Sequence, residues 1–156
     1  MVEMNAGLAH EISTWKYDPP YQLYSLDGSA ETVREFLDGS YTAVVDAGEG
    51  TIGYFCVGIA AQVPLGSHHG AYVDDSLVDV GFGMRPDLTG QGRGFEFVSA
   101  ILAFVASNVE NNRLRLTVAT FNRRAIRLYE NLGFTPVIEF PVDDVRFMTM
   151  IQAPSS

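Results

Sequence analysis

The pattern of apolar and polar residues predicts short strands and one short helix in the first half of the chain. Residues 12–17 alternate as in a strand, which the prolines at 19 and 20 would end because proline donates no ladder hydrogen bond. Ser29 is placed to cap a helix that runs to Asp38. Two β-rich runs at 41–46 and 51–62 flank a glycine-containing link, and this spacing predicts a hairpin.

In the second half, the pattern predicts a crossover unit in which a helix joins two strands. Apolar residues recur at helical spacing over 98–109 after Gly94, and this helix is expected to end near Asn112. Residues 113–120 alternate as in a half-buried strand, with Arg115 on the polar side. The elements predicted after an exposed loop at 63–76 are a strand at 77–84, a helix at 94–112, a strand at 113–120, a helix at 122–132 ending at Gly133, and strands at 134–140 and 145–151.

Composition indicates a folded domain. The chain has 156 residues, of which 47% are apolar and 19% are charged, enough for a core and too little charge for a disordered chain. Its apolar runs are shorter than the roughly 20 residues of a membrane-spanning helix, and residues 1–10 do not resemble a secretory signal. We therefore expect one domain over residues 1–156, located in the cytoplasm. Cys56 is the only cysteine, which excludes an intrachain disulfide and predicts a buried thiol.

Charge is distributed unevenly along the chain. The net charge is −9, whereas residues 85–127 hold seven arginines and three acidic residues and are net positive. An acidic protein is a poor binder of the nucleic-acid backbone. The positive segment predicts either an anion-binding region or ordinary solubilising charge, and both interpretations stay open.

Three glycines at every second position join the strand at 77–84 to the next helix. They are Gly90, Gly92 and Gly94. A residue without a Cβ lets the backbone approach a ligand, and N–H groups at a helix N-terminus attract phosphate. The loop therefore predicts a phosphate or pyrophosphate site with Arg93 nearby, and a flexible loop is the alternative. A Walker loop is excluded because the only lysine is Lys16, and a dinucleotide fingerprint fits poorly because Phe95 stands where it needs glycine.

Two separated motifs carry a family resemblance. Residues 84–94 read Met-Arg-Pro-Asp-Leu-Thr-Gly-Gln-Gly-Arg-Gly, similar to a strand, a proline and an Arg/Gln-x-x-Gly-x-Gly/Ala loop, with Thr89 where Arg or Gln is usual. Residues 122–134 match Asn-x-x-Ala-x-x-Leu-Tyr-x-x-x-Gly-Phe at every position. With these motifs the chain, over roughly residues 77–138, resembles the GNAT superfamily of acetyl-coenzyme A-dependent N-acyltransferases.

This resemblance implies a fold and a cosubstrate. The implied fold is a single GNAT-like domain of the α+β class, with a mixed, mostly antiparallel, twisted sheet of about six to seven strands flanked by about four helices. The implied cosubstrate is acetyl-CoA, whose pantetheine arm would lie along Phe82, Gly83 and Met84. The other residues implied to hold acetyl-CoA are Gly90, Gln91, Gly92, Arg93, Gly94, Phe95, Asn122 and Tyr129.

The resemblance also implies a mechanism. A primary amine of a small molecule or peptide would attack the thioester directly in a ternary complex, and a backbone N–H near Met84 would stabilise the oxyanion. Tyr129 would protonate the leaving thiolate, although its spacing also suits a core aromatic. Some members carry a Glu base at the position of Thr117, which has no titratable group here. Asp79 is therefore the candidate general base, and a purely structural carboxylate is the alternative for this residue. The loop histidines at 68 and 69 are a further alternative, and we assign no metal.

The acceptor and the partners are less defined by the sequence. An aromatic group beside Asp18 could receive an ammonium by cation–π contact or could simply pack the core. Its members are Trp15, Tyr17, Tyr21 and Tyr24. We expect no nucleic-acid or membrane partner, and a homodimer is an open alternative. A different class of function, a catalytically silent acyl-CoA-binding sensor or interaction module, also stays open.

Overall fold

The computed structural model describes residues 1–108 and 113–152, which form a mixed β-sheet and four α-helices. The strands are β1 (Val2–Glu3), β2 (Tyr41–Asp46), β3 (Gly50–Val57), β4 (Val78–Met84), β5 (Leu114–Ala119), β6 (Phe134–Val142) and β7 (Val145–Gln152). The helices are α1 (Ala6–Ser13), α2 (Ala30–Phe36), α3 (Gly94–Asn108) and α4 (Arg123–Asn131). The seven strands are hydrogen-bonded in the order β1-β2-β3-β4-β5-β7-β6. The predicted α+β fold is therefore confirmed.

The chain forms two compact units. The first unit holds Met1–Cys56 and Phe82–Arg93, and the second holds Val57–Gly81 and Gly94–Ser156. Strand β4 begins in the second unit and ends in the first. A single domain over residues 1–156 stays a prediction. None of the helices in the described ranges is long and apolar enough to cross a membrane.

In the first unit, α1 and α2 contribute the core. The buried cluster consists of Ala9, Ile12, Trp15, Val33 and Phe36, with Tyr17, Tyr41 and Tyr54 among the side chains packed against it. The predicted β2–β3 hairpin is confirmed, with Tyr41 opposite Cys56. The predicted helix after Ser29 is also confirmed, because the Ser29 Oγ accepts a hydrogen bond from the Thr32 N–H at 3.1 Å. Cys56 is buried as expected.

The strand predicted at residues 12–17 is wrong, because Ile12 and Ser13 complete helix α1, Thr14 caps it and residues 15–17 form no strand. The Asn5 side chain accepts a hydrogen bond from the Leu8 N–H at 2.9 Å and so caps the helix. Ala9 and Ile12 are fully buried at helical spacing. The period-two pattern was misleading because it begins only in the last turn of the helix, where Thr14 already forms the C-terminal cap.

Strand β3 is shorter than predicted. It ends at Val57, and a 3₁₀ turn follows at Gly58–Ala61 where the sequence predicted a strand to residue 62. Gly58 has φ of 82°, a left-handed conformation that interrupts strand pairing. The backbone freedom of this glycine outweighs the β-rich composition of the run.

The second unit contains the predicted crossover. Strands β4 and β5 are parallel, with Val78 opposite Leu114 and Asp79 opposite Arg115, and α3 connects them. Helix α3 begins at Gly94 as predicted, and its predicted end near Asn112 lies outside the described residues. Strand β7 pairs antiparallel with both β5 and β6, which confirms the two closing strands.

Two further expectations for the second unit need correction. Strand β5 is buried on both faces rather than half-buried, and Arg115 is only 3% exposed, because Asp79 pairs with its guanidinium. The loop at 63–76 is not uniformly exposed. A Cβ on buried Gly66 would lie 2.7 Å from the Tyr72 ring, so this position must be glycine to pack the loop.

Candidate active site

The end of strand β4 lies against the ring of Tyr54 in the first unit. A Cβ on Gly83 would lie 2.3 Å from two ring carbons of Tyr54 and 2.6 Å from its hydroxyl oxygen. Real Cβ atoms do not approach other atoms so closely, so only glycine fits there. The Tyr54 ring therefore covers the middle of the predicted pantetheine strand, Phe82–Met84.

A second tyrosine fixes the last residue of the strand. The Tyr17 hydroxyl donates a hydrogen bond to the Met84 carbonyl at 2.6 Å. The N–H of the next residue, Arg85, donates to the Ile52 carbonyl at 2.8 Å. Both ends of the Met84–Arg85 peptide are thus occupied, which holds its plane in place. Burial raises the pKa of Tyr17 and of Tyr54, so both hydroxyls keep their protons at neutral pH.

We predict that Gly83→Ala destabilises the protein by about 1–3 kcal/mol, because the new methyl group overlaps the Tyr54 ring. Urea unfolding measures the change. Gly7→Ala is the matched control, since its nearest contact is at 3.4 Å and alanine favours a helix. In a Tyr54→Ala background, the cost of Gly83→Ala should largely disappear. An equal cost in both backgrounds would show that the ring contact is not the cause.

The glycine loop that follows has a defined backbone. Gly90 and Gly92 have φ of 73° and 74°, left-handed conformations that other residues rarely adopt. The Thr89 hydroxyl donates to the Pro86 carbonyl at 2.7 Å, and the Gln91 side-chain amide donates to the Asp87 carbonyl at 2.7 Å. A Cβ on Gly92 would meet nothing within 4 Å, so the backbone there is open to a ligand.

Two arginines tie this loop to the β2–β3 turn. Arg93 donates to both carboxylate oxygens of Glu49, at 2.9 and 2.7 Å. Arg85 donates to the Glu49 carbonyl at 2.8 Å and pairs with Asp87 at 2.6 Å. The hydrogen bond from Arg93 lowers the pKa of Glu49, so Glu49 stays ionised. The positive charge predicted at Arg93 is therefore balanced by Glu49.

In the second unit, the first turn of α3 lies against α4. A Cβ on Gly94 would be 3.1 Å from a terminal carbon of Leu128. The next residue, Phe95, is 53% exposed despite being a large apolar side chain. The start of α3 thus combines a close contact with α4 at Gly94 and an exposed aromatic ring at Phe95.

Helix α4 carries the second motif as predicted. The Asn122 side chain caps it by accepting a hydrogen bond from the Ala125 N–H at 3.2 Å, and Gly133 beyond its end has φ of 92°. Tyr129 is half-buried, and its ring meets Phe134 edge to face at 6.2 Å. The ring therefore packs as a core aromatic while part of the side chain reaches the surface.

Asp79 lies in a buried ion pair. Its two carboxylate oxygens accept from the Arg115 guanidinium at 2.7 and 2.8 Å, and one also accepts from the Gln62 amide at 3.0 Å. Both side chains of the pair are 4% exposed. The hydrogen bond to Asp79 raises the pKa of Arg115. These three bonds use most of the acceptor capacity of the carboxylate, as in a structural ion pair.

A residue that the sequence did not single out occupies the neighbourhood of Thr117. The Tyr72 hydroxyl accepts from the Val63 N–H and shares a hydrogen bond with the Thr117 hydroxyl, both at 2.8 Å. The Arg115 guanidinium lies over the Tyr72 ring, 5.1 Å from its centre. Burial raises the pKa of Tyr72, so its hydroxyl is a proton donor rather than a base at neutral pH.

The aromatic group considered for the acceptor divides in two. Trp15 is 7% exposed and Tyr17 packs against the same core, which favours the structural interpretation for these two residues. Tyr21 and Tyr24 are half-buried around a short 3₁₀ turn. The side chains found beside β4, Tyr17 and Tyr54, were not predicted as neighbours of that strand. An isolated glycine within a strand, Gly83, was the available signal for such a contact.

Solved structures with the same fold include acetyltransferases. A chimera of the spermidine N-acetyltransferase SpeG from Vibrio cholerae and hSSAT is 18% identical, with a TM-score of 0.65, covering 96% of this chain and 92% of that chain. A GNAT-family acetyltransferase from Bacillus anthracis is 14% identical, with a TM-score of 0.70, covering 96% and 90%. An uncharacterised protein from Bacillus halodurans is 14% identical, with a TM-score of 0.72, covering 96% and 81%. These likenesses establish the fold.

The sequence itself matches a family. No curated protein matches the chain. The family model described as an acetyltransferase (GNAT) domain matches residues 5–135, which is most of the chain and includes both motifs. The chain therefore belongs to the GNAT family of acetyltransferases.

Proposed function

We propose that the protein transfers an acetyl group from acetyl-CoA to a primary amine of a small molecule or peptide. The observation that carries the proposal is the glycine loop, in which Gly90 and Gly92 adopt left-handed conformations and Gly92 faces open space. Such a loop presents backbone N–H groups to an anion without side chains in the way. The pyrophosphate of acetyl-CoA is an anion of the required kind.

The cosubstrate would contact a continuous stretch of chain. Its pantetheine arm lies along Phe82, Gly83 and Met84, and its pyrophosphate contacts N–H groups from Gly90 to Phe95. Asn122 is a further contact for the arm in addition to capping α4. Acetyl-CoA supplies the activated thioester, and residues of this chain orient the reactants and transfer protons.

The transfer is direct within a ternary complex and needs no covalent enzyme intermediate. The amine nitrogen forms a bond to the thioester carbon, the carbon–sulfur bond breaks, the amine loses one proton and the thiolate gains one. A backbone N–H near Met84 stabilises the oxyanion, and the Tyr17–Met84 hydrogen bond supports this role by fixing the end of the strand. Tyr129 donates the proton to the thiolate.

The general base is the less defined part of the mechanism. Asp79 stays the predicted base, but its oxygens already hold Arg115 and Gln62. These contacts support a positioning role, in which Asp79 holds the Arg115 guanidinium over the ring of Tyr72. A neutral amine can attack without a base on the protein, and the proton that its nitrogen releases after the C–N bond forms can pass to water.

A cationic small amine is the acceptor that the charge favours. The chain carries a net charge of −9, which attracts a cationic amine over long range. One protein of the same fold is named a spermidine N-acetyltransferase, so polyamines belong among the first candidates.

An assay of free thiol release from acetyl-CoA tests the proposal. The amines offered are a panel of polyamines, aminoglycosides, amino acids and peptides. We expect release with one class of amine above a blank without acceptor.

Gly92→Ala should weaken acetyl-CoA binding, because alanine at this φ distorts the loop. Gly39→Ala is the matched control, since Gly39 has φ of 98° and equally open surroundings in another turn. Acetyl-CoA binding with no thiol release from any amine would favour the silent acyl-CoA-binding module, and no binding at all would contradict both functions.

A further inference from the structure

The ring of Tyr54 fills the space that a side chain at position 83 would occupy. A Cβ on Gly83 would lie 2.3 Å from two of its ring carbons, so not even one carbon atom fits between strand β4 and this ring. Side chains alternate between the two faces of a strand, so Phe82 and Met84 point away from the face that Tyr54 covers. Next to Gly83, the surface on this face is therefore the Tyr54 ring itself.

Neighbouring aromatic rings hold Tyr54 in place. The centre of its ring lies 6.1 Å from that of Trp15 and 6.0 Å from that of Tyr41. It meets the ring of Phe36 edge to face at 5.1 Å, and both Trp15 and Phe36 are buried. Because protein interiors are closely packed, a ring enclosed in this way cannot move aside without disturbing the core. Tyr54 is thus a rigid boundary beside the strand.

This boundary lies where the proposed function places the thioester. The pantetheine arm would follow residues 82–84, so the acyl group at its end lies beside the same short stretch of β4. An acetyl group has a single carbon beyond its carbonyl, whereas a longer acyl group must extend further. In the direction of Tyr54, the space beside Gly83 does not admit another carbon.

We propose that Tyr54 restricts the donor to acetyl-CoA by excluding longer acyl groups. This proposal rests on the proposed function, because it uses the placement of the thioester beside β4. Replacing Tyr54 by a small residue would open a space bordered by the rings of Trp15, Phe36 and Tyr41. An apolar space of this kind favours an alkyl chain over water. Such a variant should therefore accept a straight-chain acyl group such as butyryl.

The test compares acetyl-CoA with butyryl-CoA, which is longer by two methylene groups. Calorimetry measures both dissociation constants without an acceptor, and free thiol release measures transfer to the amine found in the panel. We expect the wild type to favour acetyl-CoA by about 100-fold or more in kcat/KM, since one methylene group changes discrimination by roughly 10–200-fold. In Tyr54→Ala this preference should fall below about tenfold, and the ratio of dissociation constants should move in the same direction. Tyr54→Phe keeps the ring and should retain the wild-type preference.

Further variants separate the opened space from a loss of stability. Ile12→Ala truncates a fully buried side chain of the same core but keeps the Tyr54 ring, and it should leave the preference unchanged. Tyr54→Leu fills more of the space than alanine does, so it should give an intermediate preference even if Tyr54→Ala does not fold. Gly83→Ala in the Tyr54→Ala background returns a methyl group to the space beside the strand, and it should restore part of the preference for acetyl-CoA.

Three results would overturn the proposal, and they can be told apart. Equal use of the two thioesters by the wild type would show that Tyr54 does not limit the acyl group. A wild-type preference in both Tyr54→Ala and Tyr54→Leu would place the limit elsewhere. A preference that broadens as much in Ile12→Ala as in Tyr54→Ala would assign the effect to a loosened core. If the wild type binds neither thioester, the proposed function fails as well.

Discussion

Replacing Asp79 by Asn is expected to lower the free energy of unfolding by about 3–5 kcal/mol. The substitution keeps the shape of the side chain but leaves the Arg115 guanidinium, which is 4% exposed, without its counter-charge. Of the hydrogen bonds at 2.7 and 2.8 Å to the two carboxylate oxygens, one is lost, because the amide nitrogen of Asn donates and cannot accept from the guanidinium. Urea unfolding followed by circular dichroism measures the difference.

An exposed ion pair in the same unit is the control. Glu139 and Arg146 form a bond at 2.8 Å with both side chains about half exposed, and Glu139→Gln should cost less than about 1 kcal/mol. If Asp79→Asn costs no more than Glu139→Gln, the buried pair does not contribute as argued. Asp79→Leu/Arg115→Met removes both charges and should cost less than Asp79→Asn alone.

The same double variant examines Asp79 as the predicted base. This variant has no carboxylate at position 79 but is expected to remain stable. Its rate of acetyl transfer therefore measures the catalytic contribution of Asp79 separately from its contribution to folding. Transfer at close to the wild-type rate would exclude Asp79 as the base and would leave the Asp79–Arg115 pair a structural role only. A rate lowered by two or more orders of magnitude at every pH would support the base, since general bases contribute about 10²–10⁴-fold.

Tyr129→Phe is expected to lower kcat by about 10²-fold or more, with little change in the KM for acetyl-CoA. The variant keeps the ring that meets Phe134 at 6.2 Å and removes only the hydroxyl proton donor. Steady-state kinetics with the acceptor found in the panel measures the effect. Thermal unfolding should change little, because the ring contact is retained.

A leaving group that needs no proton provides the specific control. With an acetyl thioester of a more acidic thiol, the deficit of Tyr129→Phe should shrink, because the thiolate leaves without protonation. A deficit of the same size with both donors would indicate that the hydroxyl positions substrate instead. An unchanged kcat with acetyl-CoA would contradict the acid role outright.

Local patterns predicted the elements whose ends are marked by caps. Ser29 and Asn122 accept the hydrogen bonds expected of N-caps, and Gly133 takes the left-handed conformation expected after a helix. Helix α1 was missed because its cap, Asn5, precedes a short run of small residues with weak periodicity. The end of β3 is set by the left-handed conformation of Gly58, which the sequence did not indicate because the surrounding residues favour a strand.

The motifs predicted where the candidate site begins but not what lies against it. The glycine loop and α4 fall where the motifs place them, because their glycines and asparagine are required by local geometry. The Tyr17–Met84 hydrogen bond joins residues 67 positions apart, and no local pattern encodes such a contact. Arg115 was assigned to a polar face for the same reason, since its partner Asp79 is 36 positions away.

The bonds from Arg93 to Glu49 and from Gln91 to Asp87 hold the loop through contacts within the chain itself. The entropy of ordering its glycines is then lost during folding, when the β2–β3 turn forms. On the proposed function, capture of acetyl-CoA is docking onto an ordered surface, whose rate is set by diffusion and charge rather than by loop closure. The same proposal makes Glu49, a turn residue that belongs to neither motif, a determinant of the rate at which acetyl-CoA binds.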